Sequence, residues 1–459
     1  MKTPQRLQIL FLMIILELTA TSGLPLVNAN ADIIINPDGS LSPPDAPITR
    51  NGETFALTND VDETIVIQRN STTLDGRGYS IHGNMTNQGI TLSNTRNVTI
   101  KNIKISGFLA GIKITNSIDN NVVNVTATNC TYGILVDQSP RTKITNNTIH
   151  DNKWDGIFIT ASLNSQITNN KVENNGKWGI YIGYSSDCAL KNNQINDNKY
   201  NFGVSVDFYQ DIDTSNTING HPIIFWVNQQ GRQIPVDASY VALVDSTNIE
   251  ARNLQLTDNG QGITLVNSAD NRIENCNITR NSYYGIALIN SNYNTITNST
   301  TTKNNGAGIT LVSSTSNSIT NNTIKSNYSG IYMQDANDNI IHHNNFINNN
   351  RQAVNENSRN TWDDDYPSGG NYWNNYEGKD ANNDGIGDSP YTIDSTNQDK
   401  YPLMATVKSM PVDDIDSLAS IIPFLIVTAM IILITAILAV FYKSRKTKSS
   451  LSRTRQRTI

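Results

Sequence analysis

A glycine followed by a β-branched aliphatic residue recurs through most of this chain at a spacing of about 22–24 residues. The series runs Gly89-Ile90, Gly111-Ile112, Gly133-Ile134, Gly156-Ile157, Gly179-Ile180 and Gly203-Val204, then Gly262-Ile263, Gly285-Ile286, Gly308-Ile309 and Gly330-Ile331. A period of that length constrains the fold more than any local propensity, because one such unit cannot bury its apolar face without neighbours. After each glycine the residues alternate, as in Ile157-Phe158-Ile159 and Ile180-Tyr181-Ile182, which is the period of a strand with its aliphatics inward. A small residue follows (Ser139, Ser162, Ser185), then a second inward aliphatic (Ile144, Ile167, Leu190) with an asparagine two positions on (Asn146, Asn169, Asn192). A third inward position (Ile149, Val172, Ile195) and a closing asparagine (Asn152, Asn175, Asn198) complete the unit.

Each unit thus predicts three short strands separated by polar corners. Stacked in parallel, the units share one aliphatic core. The prediction is an all-β, right-handed parallel β-helix of about twelve rungs, roughly 60 Å long at about 4.8 Å per rung. Asparagine suits the corners because it tolerates the left-handed region and its amide can bond the backbone of its own turn and of the next rung. A leucine-rich horseshoe would need a Leu-x-x-Leu-x-Leu core, and a propeller longer, tryptophan-marked blades; neither is present. Cys130, Cys188 and Cys276 fall in separate rungs, beyond disulfide reach, and are expected as free, mostly buried thiols.

The ends read differently. Lys2 and Arg6 precede an apolar run from Leu7 to Leu18, interrupted by Glu17, and Ala29-Asn30-Ala31 offers a cleavage site, so residues 1–31 read as a secretory signal. The solenoid is expected over 32–360, with an inserted hairpin or loop near 207–238, where the spacing stretches to about 37 residues. A cap follows at 361–404 and a linker at 405–420. Residues 421–442 are apolar and long enough to span a bilayer, and the tail 443–459 is basic, so the positive-inside rule places the tail in the cytoplasm and the solenoid outside. The expectation is a single-pass protein of the cell membrane. A formal net charge of -6 suggests no nucleic-acid partner. Asn-x-Ser/Thr sequons at Asn70, Asn84, Asn97, Asn124, Asn277 and Asn298 would allow a surface glycoprotein.

The repeat, written G-I-x-I-x-x-S-x-x-x-x-I-x-N-N-x-I-x-x-N, resembles the NosD-like family of right-handed β-helices. So do the entry stretch TIVIQRNSTTLDGRGYSIHG and the closing GGNYWNNYEGKDANNDGIGDSPYTID with YPLM after it. The resemblance spans about Thr54 to Met404. It implies membership of a wide class of carbohydrate-binding proteins and sugar hydrolases, and, through NosD itself, an association with copper-centre assembly. The five histidines are scattered, apart from His342-His343 where His343 replaces a corner asparagine, so no copper site is expected.

Four aromatics, Trp154, Phe158, Trp178 and Tyr181, occupy outward positions of adjacent rungs. Such a strip is suited to stacking on sugar rings, or else to stiffening the rod. Asp151, Asp155 and Lys177 near it are the candidate acid–base groups for a polysaccharide lyase, glycoside hydrolase or epimerase, although their columns do not align. In the cap, Asp380, Asn382, Asp384, Ile386 (through its carbonyl) and Asp388 match the first nine positions of a calcium loop, with Gly385 at the sharp turn; Tyr391 stands where an EF-hand has glutamate. Asp363, Asp364 and Asp365 read as a solvated acidic cluster. The sequence therefore favours a non-catalytic surface protein that binds extracellular polysaccharide or builds the envelope. A polysaccharide-modifying enzyme is the alternative, and a copper-assembly accessory a third reading.

Overall fold

The computed structural model describes residues 32–408. The signal segment 1–31, the apolar segment 421–442 and the tail 443–459 lie outside the described residues, as does most of the 405–420 linker. Among the described residues no helix is long and apolar enough to cross a membrane.

The described chain is an all-β parallel solenoid of about 14 turns, slightly more than the twelve expected. Each coil carries three strands. On the first face, Gln88–Ser93, Ala110–Thr115, Tyr132–Asp137, Ile157–Thr160, Trp178–Gly183 and Tyr200–Ser205 pair in parallel register, so that Ile112, Ile134, Ile157, Ile180 and Phe202 form one column. Lys143–Thr145, Gln166–Thr168 and Ala189–Lys191 lie on the second face, and Thr148–His150, Lys171–Glu173 and Gln194–Asn196 on the third. The inward aliphatics of all three faces are buried. Burying these β-branched side chains, at about 1.5–3 kcal/mol each, is the main favourable term.

The corners explain the asparagine content. Asn146, Asn169, Asn192, Asn275, Asn298 and Asn321 turn the chain in the left-handed region, with φ between 50° and 59°. The next residue in each Asn-Asn pair is buried and builds a ladder. Asn147 donates through Nδ2 to Asn170 Oδ1 (2.9 Å), Asn170 to Asn193 (2.9 Å) and Asn193 to Asn216 (2.7 Å). Each of these amide oxygens also accepts the backbone N–H of the rung before. Asn152, Asn175 and Asn198 repeat the device at the third corner, and Ser139, Ser162 and Ser185 at the first. The buried amides of these ladders are thereby satisfied by one another and by the backbone, whereas Asn120 Nδ2 and Asn259 Oδ1 find no partner. Cys130, Cys188 and Cys276 occupy such corner slots as free, buried thiols, and burial pushes each up to about 11.

The solenoid is not one continuous stack. Its apolar interior divides into two cores, one running from Ile33 to Ile218 and closed by residues of the following strands, and one from Ile224 to Trp373. At Tyr200–Ser205 the first-face ladder ends, and its open edge is met by Asp258–Gln261 from two coils later: Asn201 N–H donates to Asp258 O (2.6 Å) and Gly260 N–H to Phe202 O (2.8 Å). Asn219 and Gly220, both at positive φ, reverse the chain, and His221–Val227 opens a second ladder with Tyr240–Val244 and Gln261–Val266. These strands are buried on both sides. Ile224, Val241 and Leu243 face the second core, while Ile223, Phe225, Tyr240, Ala242 and Val244 close the end of the first. The stretch 207–238 does contain a tight hairpin, Thr217–Ile218 against His221–Pro222, but its apolar residues are built into the two stacks. Phe208, Ile212 and Ile218 finish the first stack, and residues from His221 onward make the first coil of the second. The longer spacing reflects a change of stack.

The far end is covered by Trp362 and Trp373. Trp373 stacks between Phe346 (4.3 Å) and Tyr391 (4.2 Å), and its indole N–H donates to Asp399 Oδ2 (2.8 Å). Burial pushes the Asp399 carboxyl up to about 6. Tyr366 stands exposed and takes no part in the cover.

Candidate functional site

The four outward aromatics sit where the alternation places them, but the second stack has closed over half of them. Trp178 and Tyr181 are 2% and 4% exposed. Trp178 lies 5.3 Å from the Tyr200 ring and 5.6 Å from Tyr283 of the second stack, while the Tyr200 hydroxyl accepts from Asn305 Nδ2 (2.6 Å) across the junction. Gly203 makes room for this indole, since a Cβ there would stand 2.7 Å from the Trp178 ring. Tyr181 stacks on Phe158 at 4.9 Å and shares a hydrogen bond with Ser205 Oγ (2.6 Å). Burial holds the Tyr283 hydroxyl well above the usual phenol range and raises that of Tyr284. For Trp178 and Tyr181 the stiffening role is therefore the one the burial favours over sugar stacking, because the face that carries them packs against the second stack.

The run stays open at one end. Phe158 is half-buried and Trp154 is 39% exposed; Tyr132 meets them at 6.2 Å and 5.5 Å, both edge-on. Lys177 Nζ lies over the Trp154 ring at 5.8 Å. The acid–base candidates are dispersed in role. Asp155 is 1% exposed and its Oδ1 accepts the Trp178 N–H (3.0 Å). Asp151 turns a corner at φ 55° with Oδ2 at 2.7 Å from His150 Nδ1.

In the cap loop the carboxylates face the loop's own backbone. Asp380 accepts N–H bonds from Asp384 (3.1 Å) and Gly385 (2.9 Å), Asp384 accepts from Ile386 (2.9 Å), and Asp388 accepts from Ala381 (2.9 Å). The bond from Ile386 holds the Asp384 carboxyl below the usual carboxylate range. Asn382 donates to Asp384 (2.8 Å), and Ile386 is buried against Leu403.

A cluster not foreseen from the sequence lies at the last coil. Ligand atoms of His342, His343 and Asp364 all fall within 4.8 Å of one another, the one such three-residue group among the described residues. Burial, then the neighbouring His343, lowers the His342 pKa. The signal was present in one detail, the histidine in a corner column otherwise filled by asparagine. Asp364 could not be joined to it without knowing how the cap folds back.

A family model described as "Right handed beta helix region" matches residues 58–238, and one described as "Periplasmic copper-binding protein (NosD)" matches residues 223–378. Together with the parallel solenoid, these two matches support a NosD-like right-handed β-helix family. The two matches overlap at residues 223–238, in the first coil of the second stack, so the first stack falls in the β-helix match and the second mainly in the NosD match. No curated protein matches the chain. Among solved structures, the A-module of a mannuronan C-5 epimerase from Azotobacter vinelandii is similar at 13% identity and a TM-score of 0.32, covering 67% of this chain and 87% of that one. The periplasmic alginate epimerase AlgG is similar at 12% and 0.24, covering 69% and 80%. The DFA-IIIase of Arthrobacter chlorophenolicus is similar at 11% and 0.29, covering 59% and 57%.

Proposed function

We propose that this NosD-like protein is displayed on the cell surface, held by residues 421–442 with the basic tail inside, and binds extracellular polysaccharide without modifying it. The observation that carries the binding half is the open end of the aromatic run. An exposed indole on a rigid coil, with an ammonium over it and a phenol and a phenyl ring beside it, offers flat apolar area and polar partners to a sugar ring. The location half rests on the signal-like leader, the apolar segment and the basic tail.

Trp154→Ala is expected to weaken binding to the polysaccharide it retains by roughly 30-fold, the effect of losing about 2 kcal/mol at a hot spot. The fold should be untouched, since the indole is half in solvent. Affinity electrophoresis against a panel of uronic-acid and neutral polymers, with melting curves alongside, reads both. On intact cells, added protease should cut the solenoid and spare the tail. Retention of none of the polymers, or retention indifferent to Trp154, would remove the reading. Release of unsaturated or reducing ends from a polymer would replace it with the enzymatic alternative.

Calcium at Asp380–Asp388 belongs to the proposal as a stabiliser of the cap. An ion at a hundredfold excess over Kd would add about 2.7 kcal/mol. Wild type is expected to melt higher in calcium than in chelator, and Asp384→Ala to lose that difference. If the difference survives in Asp384→Ala, or wild type shows none, the loop is a polar turn closed by its own N–H bonds.

A further inference from the structure

We propose that His342, His343 and Asp364 form a binding site for a divalent transition-metal ion that pins the last coil of the second stack to its cap. His342 ends the second-face strand Ile340–His342 and His343 turns the corner after it at φ 55°. In the rungs below, the position of His342 is held by Thr320 and Thr297, and that of His343 by Asn321 and Asn298. Two consecutive departures from the repeat therefore bring two imidazoles together at the one coil where the cap loop passes overhead.

Their orientation is specific. His343 Nε2 lies 3.0 Å from the Ser368 carbonyl, an acceptor only, so this nitrogen carries the proton and Nδ1 keeps its lone pair. It accepts from His342 Nδ1, 3.0 Å away with the rings at 84°, and an ion would take the place of the shared proton. Two nitrogens each about 2.0–2.1 Å from one ion stand roughly 3 Å apart, so the pair already has the bite of two ligands. The Asp364 carboxylate supplies the third donor and is itself oriented by the Ser368 hydroxyl (2.7 Å). Ser368 thus positions one imidazole through its carbonyl and the carboxylate through its hydroxyl. The cap loop is fixed to the coil where His343 N–H donates to Gly370 O (2.7 Å), and is closed on itself by Asp364 N–H donating to Gly369 O (2.9 Å). Two imidazoles and one carboxylate suit Zn²⁺, Cu²⁺ or Ni²⁺ rather than Ca²⁺ or Mg²⁺.

The repeat supplies its own control substitutions. His343→Asn and His342→Thr install the residues that neighbouring rungs carry at these positions, so both variants should fold as wild type. Titration of the purified, untagged chain with Zn²⁺ in excess calcium, followed by calorimetry, should show one site in wild type. That site should be lost in both histidine variants and be about 10- to 100-fold weaker in Asp364→Asn. Without metal, the melting curves of wild type and the two histidine variants should coincide; with Zn²⁺ only wild type should rise. Loaded instead with Cu²⁺, wild type should show an electron paramagnetic resonance spectrum with coupling to two nitrogens. Zn²⁺ uptake that persists in both histidine variants, or a wild type that takes up none at millimolar Zn²⁺, would overturn the assignment.

Discussion

Replacing Trp178 by alanine is expected to destabilise the protein by about 3–5 kcal/mol, the range for deleting a buried large aromatic. The indole is buried at the junction, in contact with Tyr181 and Tyr200 of its own stack and Tyr283 of the other. This ring cluster lies outside both apolar cores and links the two stacks, and a solenoid's stability is a sum of neighbouring-unit terms. Loss of the junction should therefore weaken the coupling of the halves as well as lower the melting temperature. Calorimetry of wild type should show the halves melting together, whereas Trp178→Ala should broaden or split the transition. Gly203→Ala tests the same contact from the other side, by pushing a methyl group against the ring. Trp154→Ala is the matched control, since its side chain is partly solvated and surface changes rarely exceed about 0.5 kcal/mol. Equal melting of the Trp178 and Trp154 variants would mean that the aromatic run does not brace the junction.

The residues that read correctly from sequence are those whose environment is set by the neighbouring rung. Ile157, Ile180 and Phe202 share a column because each stands at the same place in its period, and Asn146 and Asn169 take the left-handed turn for the same reason. The free, buried cysteines follow from the same logic. What escaped depends on contacts that no period encodes. Trp178 and Tyr181 are outward in the repeat, as expected, yet buried, because Tyr283 and Asp258–Gln261 arrive from a second stack. The stretched spacing between Gly203 and Tyr240 carried that information but admits an insertion equally well. Its buried residues, Phe208 and Ile223 in the first core and Ile224 and Ile234 in the second, belong to the interior of two stacks rather than to a loop. His343 was visible as a departure from an asparagine corner column, with His342 beside it, but their partner Asp364 comes from the cap, where the repeat has ended. The second residue of each Asn-Asn pair was also underread. The corner residue is the one with unusual backbone geometry, while its neighbour holds the ladder.

That distinction gives the second large effect. Asn170→Ala should cost about 3–5 kcal/mol, whereas Asn169→Ala, one residue earlier, should cost about 1–2 kcal/mol. Asn169 is a partly exposed corner residue whose replacement mainly places a Cβ-bearing residue without a polar side chain in the left-handed region. Asn170 is buried and uses its whole amide. Its Oδ1 accepts from Asn147 N–H (3.0 Å) and Nδ2 (2.9 Å), and its Nδ2 donates to Ile144 O (2.8 Å) and Asn193 Oδ1 (2.9 Å). Truncation removes the acceptor of a buried backbone N–H and of a side-chain amide in the rung below, and each orphaned group costs about 1–3 kcal/mol. The ladder should also be cooperative, since aligned amides polarise one another in a low-dielectric interior. Asn147→Ala combined with Asn170→Ala should then cost less than the two single changes added together, because the second change removes a side-chain amide already deprived of its partner. Denaturant unfolding of the four proteins supplies the cycle. Equal losses for Asn169→Ala and Asn170→Ala, or strict additivity between Asn147 and Asn170, would mean that the corners are held by backbone geometry alone and that the buried amides are passive filling.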